Sequence, residues 1–178
     1  MHLPETDVLT VFPSRLGWMA MIGSGSLLKH LTFGHTSAKR AVAGLIPEMA
    51  QRAEQSRWNE PLIERVQAYA SGAHEEFLDV EVDLGSMTGF RRRVLECARR
   101  VPFGTTVTYG QLAAQAGFPG AARAVGRCMA SNPIPLVIPC HRVVAADGSL
   151  CGFSAFGGVR TKQLLLRMES PRCAVELA

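Results

Sequence analysis

No stretch constrains the backbone of this 178-residue chain more than residues 131–144, Ser-Asn-Pro-Ile-Pro-Leu-Val-Ile-Pro-Cys-His-Arg-Val-Val. Each of Pro133, Pro135 and Pro139 fixes its own φ, removes a hydrogen-bond donor and drives the preceding residue toward extended geometry. Residues 136–138 are therefore predicted to run as a short, buried, extended segment that delivers Cys140 at its end. What it delivers is chemically loaded: a thiol at Cys140, an imidazole at His141 and a cation at Arg142, with the amide of Asn132 upstream. A thiol on a stiff backbone beside a base is how a protein prepares a sulfur nucleophile. A bare Cys-His pair is far more often a structural cysteine next to a surface histidine, so the pair alone decides nothing.

The rest of the chain divides near residue 85. In the first part, residues 8–12, 18–22 and 27–33 read as strands of a small antiparallel meander, with turns between them. Residues 1–7 are expected to fray. Ser37 is placed as the cap of a helix that runs to about Ile46, where Pro47 interrupts it. Asn59 caps a second helix to about Ala70, with Pro61 tolerated in its first turn. Residues 77–84 alternate enough to suggest one more strand. His30, His35 and His74 lie apart and no cysteine is near them, so no metal ligand set is visible.

Ser86 or Thr88 starts the second part, and a helix follows. Phe90, Val94, Cys97, Ala98 and Val101 share its apolar face, which leaves Arg91, Arg92, Arg93, Arg99 and Arg100 to solvent or phosphate. Thr108 caps a short helix ending at Gly117. A third helix spans residues 121–130, with Ala121, Ala124, Val125, Cys128 and Met129 on its core face. The opposite face carries Ala122, Arg123, Gly126 and Arg127, where two tiny residues let a backbone approach a groove beside two arginines. The pair of short helices suggests a helix-turn-helix. Residues 141–145 and 149–153 flank Asp147-Gly148, a hairpin signal for a wing. A glycine-rich loop over 152–158 precedes a last helix to Met168 or Glu169. Glu169 faces the apolar side of that helix and so needs a partner.

Charge follows the same division. Residues 1–85 hold seven Lys/Arg against eleven Asp/Glu, a net of −4, and residues 86–178 hold twelve against four, a net of +8. Eleven of those twelve cations are arginine, which suits bidentate phosphate contacts. Five cysteines, an odd number with no CxxC pair, fit free thiols in a reducing compartment. With no secretory signal and no apolar run of membrane length, the expectation is a cytoplasmic protein with no membrane partner.

The heptapeptide Ile138-Pro139-Cys140-His141-Arg142-Val143-Val144 resembles the active-site signature of the O6-alkylguanine-DNA alkyltransferases, the methylated-DNA–protein-cysteine methyltransferases. The resemblance extends from about Phe90 to Glu169. It takes in Phe103-Gly104, Thr108-Tyr109-Gly110-Gln111-Leu112-Ala113, Ala121-Ala122-Arg123-Ala124-Val125-Gly126 and Asn132-Pro133, in order and approximate spacing. Residues 1–85 match only loosely.

The resemblance implies an α+β chain. An N-terminal packing domain (1–85) would be ribonuclease H-like, with a small antiparallel sheet and helices. A mostly helical winged helix-turn-helix domain (86–178) would carry the active site and bind DNA. It implies that Cys140 accepts the alkyl group, with His141 as base, Glu169 orienting it through a relay that includes a water, Asn132 bonding near the thiol and Tyr109 protonating the leaving guanine. It assigns Arg123 to the gap left by a flipped nucleotide, with Ala122, Gly126, Arg127 and Thr108 against DNA. Met129, Val143, Phe153 and Ser154 would line the base pocket. The partner would be double-stranded DNA, met in the minor groove by a monomer with little sequence preference. No cofactor follows, because the acceptor is the protein itself.

Three departures stand out. Cys151 occupies a wing position where a small residue is expected, the 152–158 loop is about two residues longer than in some relatives, and Phe153 replaces a frequent tyrosine. Two competing functions are a lesion-binding module of the alkyltransferase-like kind and a winged transcription factor. The first lacks an acceptor cysteine, which this chain has, and the second leaves Pro139-Cys140-His141-Arg142 unexplained.

Overall fold

The computed structural model describes residues 6–170. They form two compact units, with the main break between Asp83 and Leu84 and with Glu76–Leu78 grouped with the second unit. Among the described residues no helix is long and apolar enough to cross a membrane.

The first unit is built on the expected meander. Strands β1 (Val8–Ser14), β2 (Gly17–Ser24) and β3 (Leu27–His35) pair antiparallel, with Leu9 opposite Ile22 and Met21 opposite Leu31. Residues 19–24 of β2 are buried without a break, the mark of a central strand covered on both faces. On one face Ala20 and Ile22 pack with Leu9, Ala41 and Leu45. Helix α1 (Ala38–Ala43) is capped by Ser37, whose hydroxyl accepts from the Arg40 amide. It stops at Gly44 rather than Ile46, because Pro47 opens a helix of its own, α2 (Pro47–Arg52). Proline suits a first helical position, where its missing N–H is needed by nothing. The two-residue strand β4 (Glu54–Gln55) then joins β1 in parallel, an edge that no apolar pattern announces. Helix α3 (Glu60–Ala70) starts at the Asn59 cap with Pro61 in its first turn and buries Leu62, Ile63, Val66 and Tyr69.

Two further expectations fail in this unit. Of the tail expected to fray, residues 1–5 lie outside the described residues, but Asp7 is anchored: its carboxylate meets Lys29 at 2.6 Å and its carbonyl accepts from Glu54. Residues 77–84 do not form a strand. Phe77 sits at φ 53, in the left-handed region, and only Val82 bridges to Leu28. The acidic side chains there are drawn to separate partners, Asp79 to Arg65 and Glu81 to Ser26, which breaks the alternation that suggested a ladder.

The second unit is mostly helical. Helix α4 (Gly89–Arg99) is capped by Thr88 and buries Val94, Leu95 and Ala98. The stripe is rotated from the expected one toward Leu95; Cys97 is half-buried, and Phe90 instead meets Phe118 edge-on at 4.7 Å. The arginines of α4 serve the fold. Arg91 donates to the Ser131 carbonyl, Arg92 to Gly85 and Arg99 to Phe77 and Leu78, while Arg93 lies over the Phe118 ring.

Helix α5 (Tyr109–Gln115) opens with a full capping box between Thr108 and Gln111. It closes through Gly117 at φ 84, a conformation glycine adopts without strain. Helix α6 (Ala122–Ala130) buries Val125, Cys128 and Met129, and leaves Ala121 and Ala124 half-buried. Helix α7 (Val159–Glu169) buries Lys162, Leu165, Leu166 and Glu169. A short parallel pair, β5 (Val107–Thr108) with β6 (Val143–Val144), ties the entrance of α5 to the chain just after Cys140.

The expected wing is reduced to its turn. Ala145 donates to the Ser149 carbonyl and Gly148 to Ala145, but residues 149–153 form no strand. The chain curls where Cys151 donates to the Ser149 carbonyl, and β6 is already paired with β5.

Candidate active site

The proline-rich approach is buried as expected but is not extended. Leu136 adopts φ 74, and Ile138 donates to the Ile134 carbonyl at 2.9 Å, so the chain folds back on itself. The physical reason is that the prolines leave too few donors for a strand ladder. Asn132 supplies the missing bonds: its side-chain amide donates to the Ile138 carbonyl at 2.8 Å and its oxygen accepts from the Ile134 amide at 3.1 Å. The turn ends in a single 3-10 turn, Cys140–Arg142, whose three side chains are all buried.

Cys140 is 3% exposed. Burial pushes its thiol above the ordinary range, because a thiolate there loses its water. A hydrogen bond from Asn132, the positive charge of Lys162 and the amides of Cys140 and His141 work in the opposite direction. The resting sulfur is thus a thiol with a prepared set of anion-stabilising groups around it.

His141 has no exposed surface, and its Nε2 lies 2.8 Å from Glu169 Oε1. Glu169, at the end of α7, also accepts from Arg142 through Nε at 2.8 Å and Nη2 at 2.9 Å, and from the Gly104 amide at 3.2 Å. A carboxylate that receives two guanidinium bonds is ionised and accepts only. The Nε2 of His141 therefore carries the proton, and Nδ1 is left as the basic atom of the ring. Desolvation holds the imidazole below its usual pKa despite Glu169, and Arg142 and Lys162 push the same way as burial. The ring is neutral, and able to accept a proton, throughout the neutral pH range.

Arg142 does more than the sequence revealed. It is 2% exposed, lies over the Phe103 ring at 5.6 Å, and donates to the Val101 carbonyl at 2.6 Å and to Glu76 at 3.2 Å. Lys162 was not singled out either. It is 1% exposed on α7, and its ammonium donates to the Val143 carbonyl at 2.5 Å. A lysine at i−3 from Leu165 on the apolar face of a helix was the available signal, the same one that marked Glu169.

The same unit holds a cavity of about 770 Å³; Tyr109 is in its wall, whereas Asn132, Cys140, His141 and Glu169 are not among the residues that line it. The cavity is lined by Thr108 from β5, Tyr109 from α5, Ala122, Arg123 and Gly126 from α6, and Phe153 and Ser154 on the loop before α7. Cys151, an exposed free thiol, is also in its wall. Burial raises the pKa of Tyr109, and a thiolate at Cys140 pushes it the same way, so its hydroxyl keeps its proton. Arg127 is exposed on α6 and Met129 and Val143 are buried in the core, and none of the three lines the cavity.

Residues 89–171 match the family described as 6-O-methylguanine DNA methyltransferase, DNA binding domain. A methylated-DNA–protein-cysteine methyltransferase from Mycobacterium leprae is 36% identical over 164 residues, which span 92% of this chain and 93% of that protein. Among solved structures, Mycobacterium tuberculosis O6-methylguanine methyltransferase matches with a TM-score of 0.78 at 33% identity over 94% of each chain. M. tuberculosis OGT in complex with DNA matches with a TM-score of 0.73 at 34% identity, covering 92% of this chain and 93% of that one. With sequence and fold agreeing along almost its whole length, this chain belongs to the methylated-DNA–protein-cysteine methyltransferase family.

Proposed function

We propose that the protein repairs DNA by moving the alkyl group of O6-alkylguanine onto its own Cys140, once per molecule. The observation that carries this is the buried His141–Glu169 contact at 2.8 Å, next along the chain from the buried thiol of Cys140 and in the same unit as a cavity lined by Tyr109 and Arg123. His141 Nδ1 takes the thiol proton through a bridging water, while Glu169 holds the ring and its tautomer. The thiolate sulfur attacks the alkyl carbon in line. The C–O6 bond breaks, its electron pair stays with the purine, and Tyr109 donates the proton that makes guanine a neutral leaving group. Asn132 steadies the sulfur as charge develops. The product is a thioether with no easy return path, so the reaction is stoichiometric and needs no cofactor.

An alkylated O6 inside the base stack is out of reach of a buried sulfur, so the nucleotide must rotate out. In this proposal helices α5 and α6 act as a helix-turn-helix that meets the minor groove, where little sequence is read. Arg123 fills the vacated space in the stack, and Ala122 and Gly126 allow the backbone to come close. Arg127 and Thr108 contact the phosphate backbone. Phe153 and Ser154 enclose the flipped base, and Met129 and Val143 support them from the core. The first unit, read as ribonuclease H-like, serves packing. The chain works as a monomer in the cytoplasm on double-stranded DNA.

The test is the mass of the protein after incubation with a duplex containing O6-methylguanine. Exchange of one hydrogen for one methyl adds about 14 Da to the Cys140 peptide and saturates at one per molecule. Cys140→Ala is expected to keep DNA binding and abolish transfer. Bound DNA with no mass change, or full transfer by that variant, would overturn the assignment.

A further inference from the structure

Lys162 has no part in the scheme above, yet burying an ammonium is costly unless something compensates it. Among the described residues no carboxylate bonds to it. Its Nζ donates to the Val143 carbonyl at 2.5 Å, lies 3.4 Å from the Cys151 carbonyl and sits 5.8 Å from the centre of the Tyr109 ring. These contacts join three pieces of the site: the strand leaving Cys140, the cavity wall at Cys151 and the entrance of α5.

The titratable groups that face this ammonium are few. Desolvation lowers the pKa of Lys162, and the ionised forms of Cys140 and Cys151 are what raise it again. In return Lys162 favours the Cys140 thiolate and disfavours the His141 imidazolium. Arg142 acts on His141 in the same sense as Lys162, Glu169 acts in the opposite sense, and Tyr109 lies alongside with its proton retained.

We propose that Lys162 is a positioning residue for alkyl transfer, pinning the Val143 and Cys151 carbonyls beside Tyr109 and supplying the counter-charge for the Cys140 sulfur as it ionises. This rests on Cys140 as the acceptor. The charge does nothing for a neutral thiol and acts fully on the anion, so it favours the attacking state over the resting one.

The experiment compares wild type with Lys162→Met, Lys162→Gln and Lys162→Arg. Iodoacetamide labelling of the Cys140 peptide across pH gives the thiol midpoint, and single-turnover methyl transfer is followed over the same pH range. Cys151→Ser is measured alongside, because its thiol faces the same ammonium. Loss of a nearby positive charge is expected to move the Cys140 midpoint of the Met and Gln variants up by about one pH unit or more. Transfer at neutral pH falls about tenfold and recovers as pH rises, and Lys162→Arg keeps the midpoint closer to wild type. If Lys162→Met fails to fold, Lys162→Gln, which still donates to a carbonyl, carries the test. A folded neutral variant with an unmoved midpoint overturns the proposal, whether its rate is normal or merely low. Failure of Cys140 to gain methyl in the wild type would be a separate result, and would strike the acceptor assignment instead.

Discussion

A single carboxylate, Glu169, organises the buried charges: it holds His141 on one oxygen and receives Arg142 on both. With the Arg142 and Glu169 side chains 2% and 1% exposed, neither charge can fall back on water. Removing one partner of such a pair leaves the other uncompensated, a loss of about 3–5 kcal/mol. Arg142→Met is therefore expected to lower the urea unfolding free energy by that amount. Arg127→Met, on the exposed side of α6, should change it by less than about 0.5 kcal/mol. Equal effects of the two would mean that the Arg142 pair contributes no more than a surface charge. The sequence disclosed these residues unevenly. Cys140 and His141 are adjacent, and Glu169 betrays itself by falling on an apolar helical face. That Arg142 is interior depends on Val101, Glu76 and Glu169, which lie far away along the chain.

Elements defined by local chemistry were legible and those defined by distant partners were not. Ser37, Asn59 and Thr108 each cap the helix they were expected to cap, because a side-chain oxygen and an amide three residues on need nothing else. The strand over 77–84, the second wing strand and the extended run before Cys140 all failed, since a ladder exists only where another chain segment offers its edge. Helix α6 carries a glycine that packing does not explain. A methyl at Gly126 would approach nothing closer than Tyr109, at 4.0 Å, so packing does not require glycine there. Alanine is the better helix former by about 0.8–1.0 kcal/mol. Gly126→Ala should accordingly raise unfolding stability by about that much while slowing repair of duplex DNA, because the added carbon lies on the cavity wall. Denaturant unfolding and single-turnover repair on the same preparation check both halves. A variant that is both more stable and equally fast on duplex would remove the groove-contact role of this position.

At the scale of the molecule, the +8 charge of residues 86–178 overstates what DNA can meet. Arg91, Arg92 and Arg99 are committed to backbone carbonyls, and Arg142 to the buried cluster. The arginines of α4, which in the sequence look like a phosphate-binding run, therefore contribute mainly to folding. Those of α6, Arg123 and Arg127, are exposed. Binding driven by phosphate contacts weakens linearly in log–log form with salt, with a slope that counts the neutralised phosphates. Arg127→Ala is expected to weaken DNA binding by a similar factor on any sequence and to reduce the magnitude of that slope by about one. Arg92→Ala should change the slope less, because the bond to the Gly85 carbonyl holds its guanidinium in place and limits its reach to a phosphate. Fluorescence anisotropy with an undamaged duplex over a salt series separates the two variants without any chemistry at Cys140. A slope that falls with Arg92→Ala and not with Arg127→Ala would move the DNA-binding face from α6 to α4. The flipping role given to Arg123 would then lose its support, because an arginine can enter the stack only from the helix that lies against the groove.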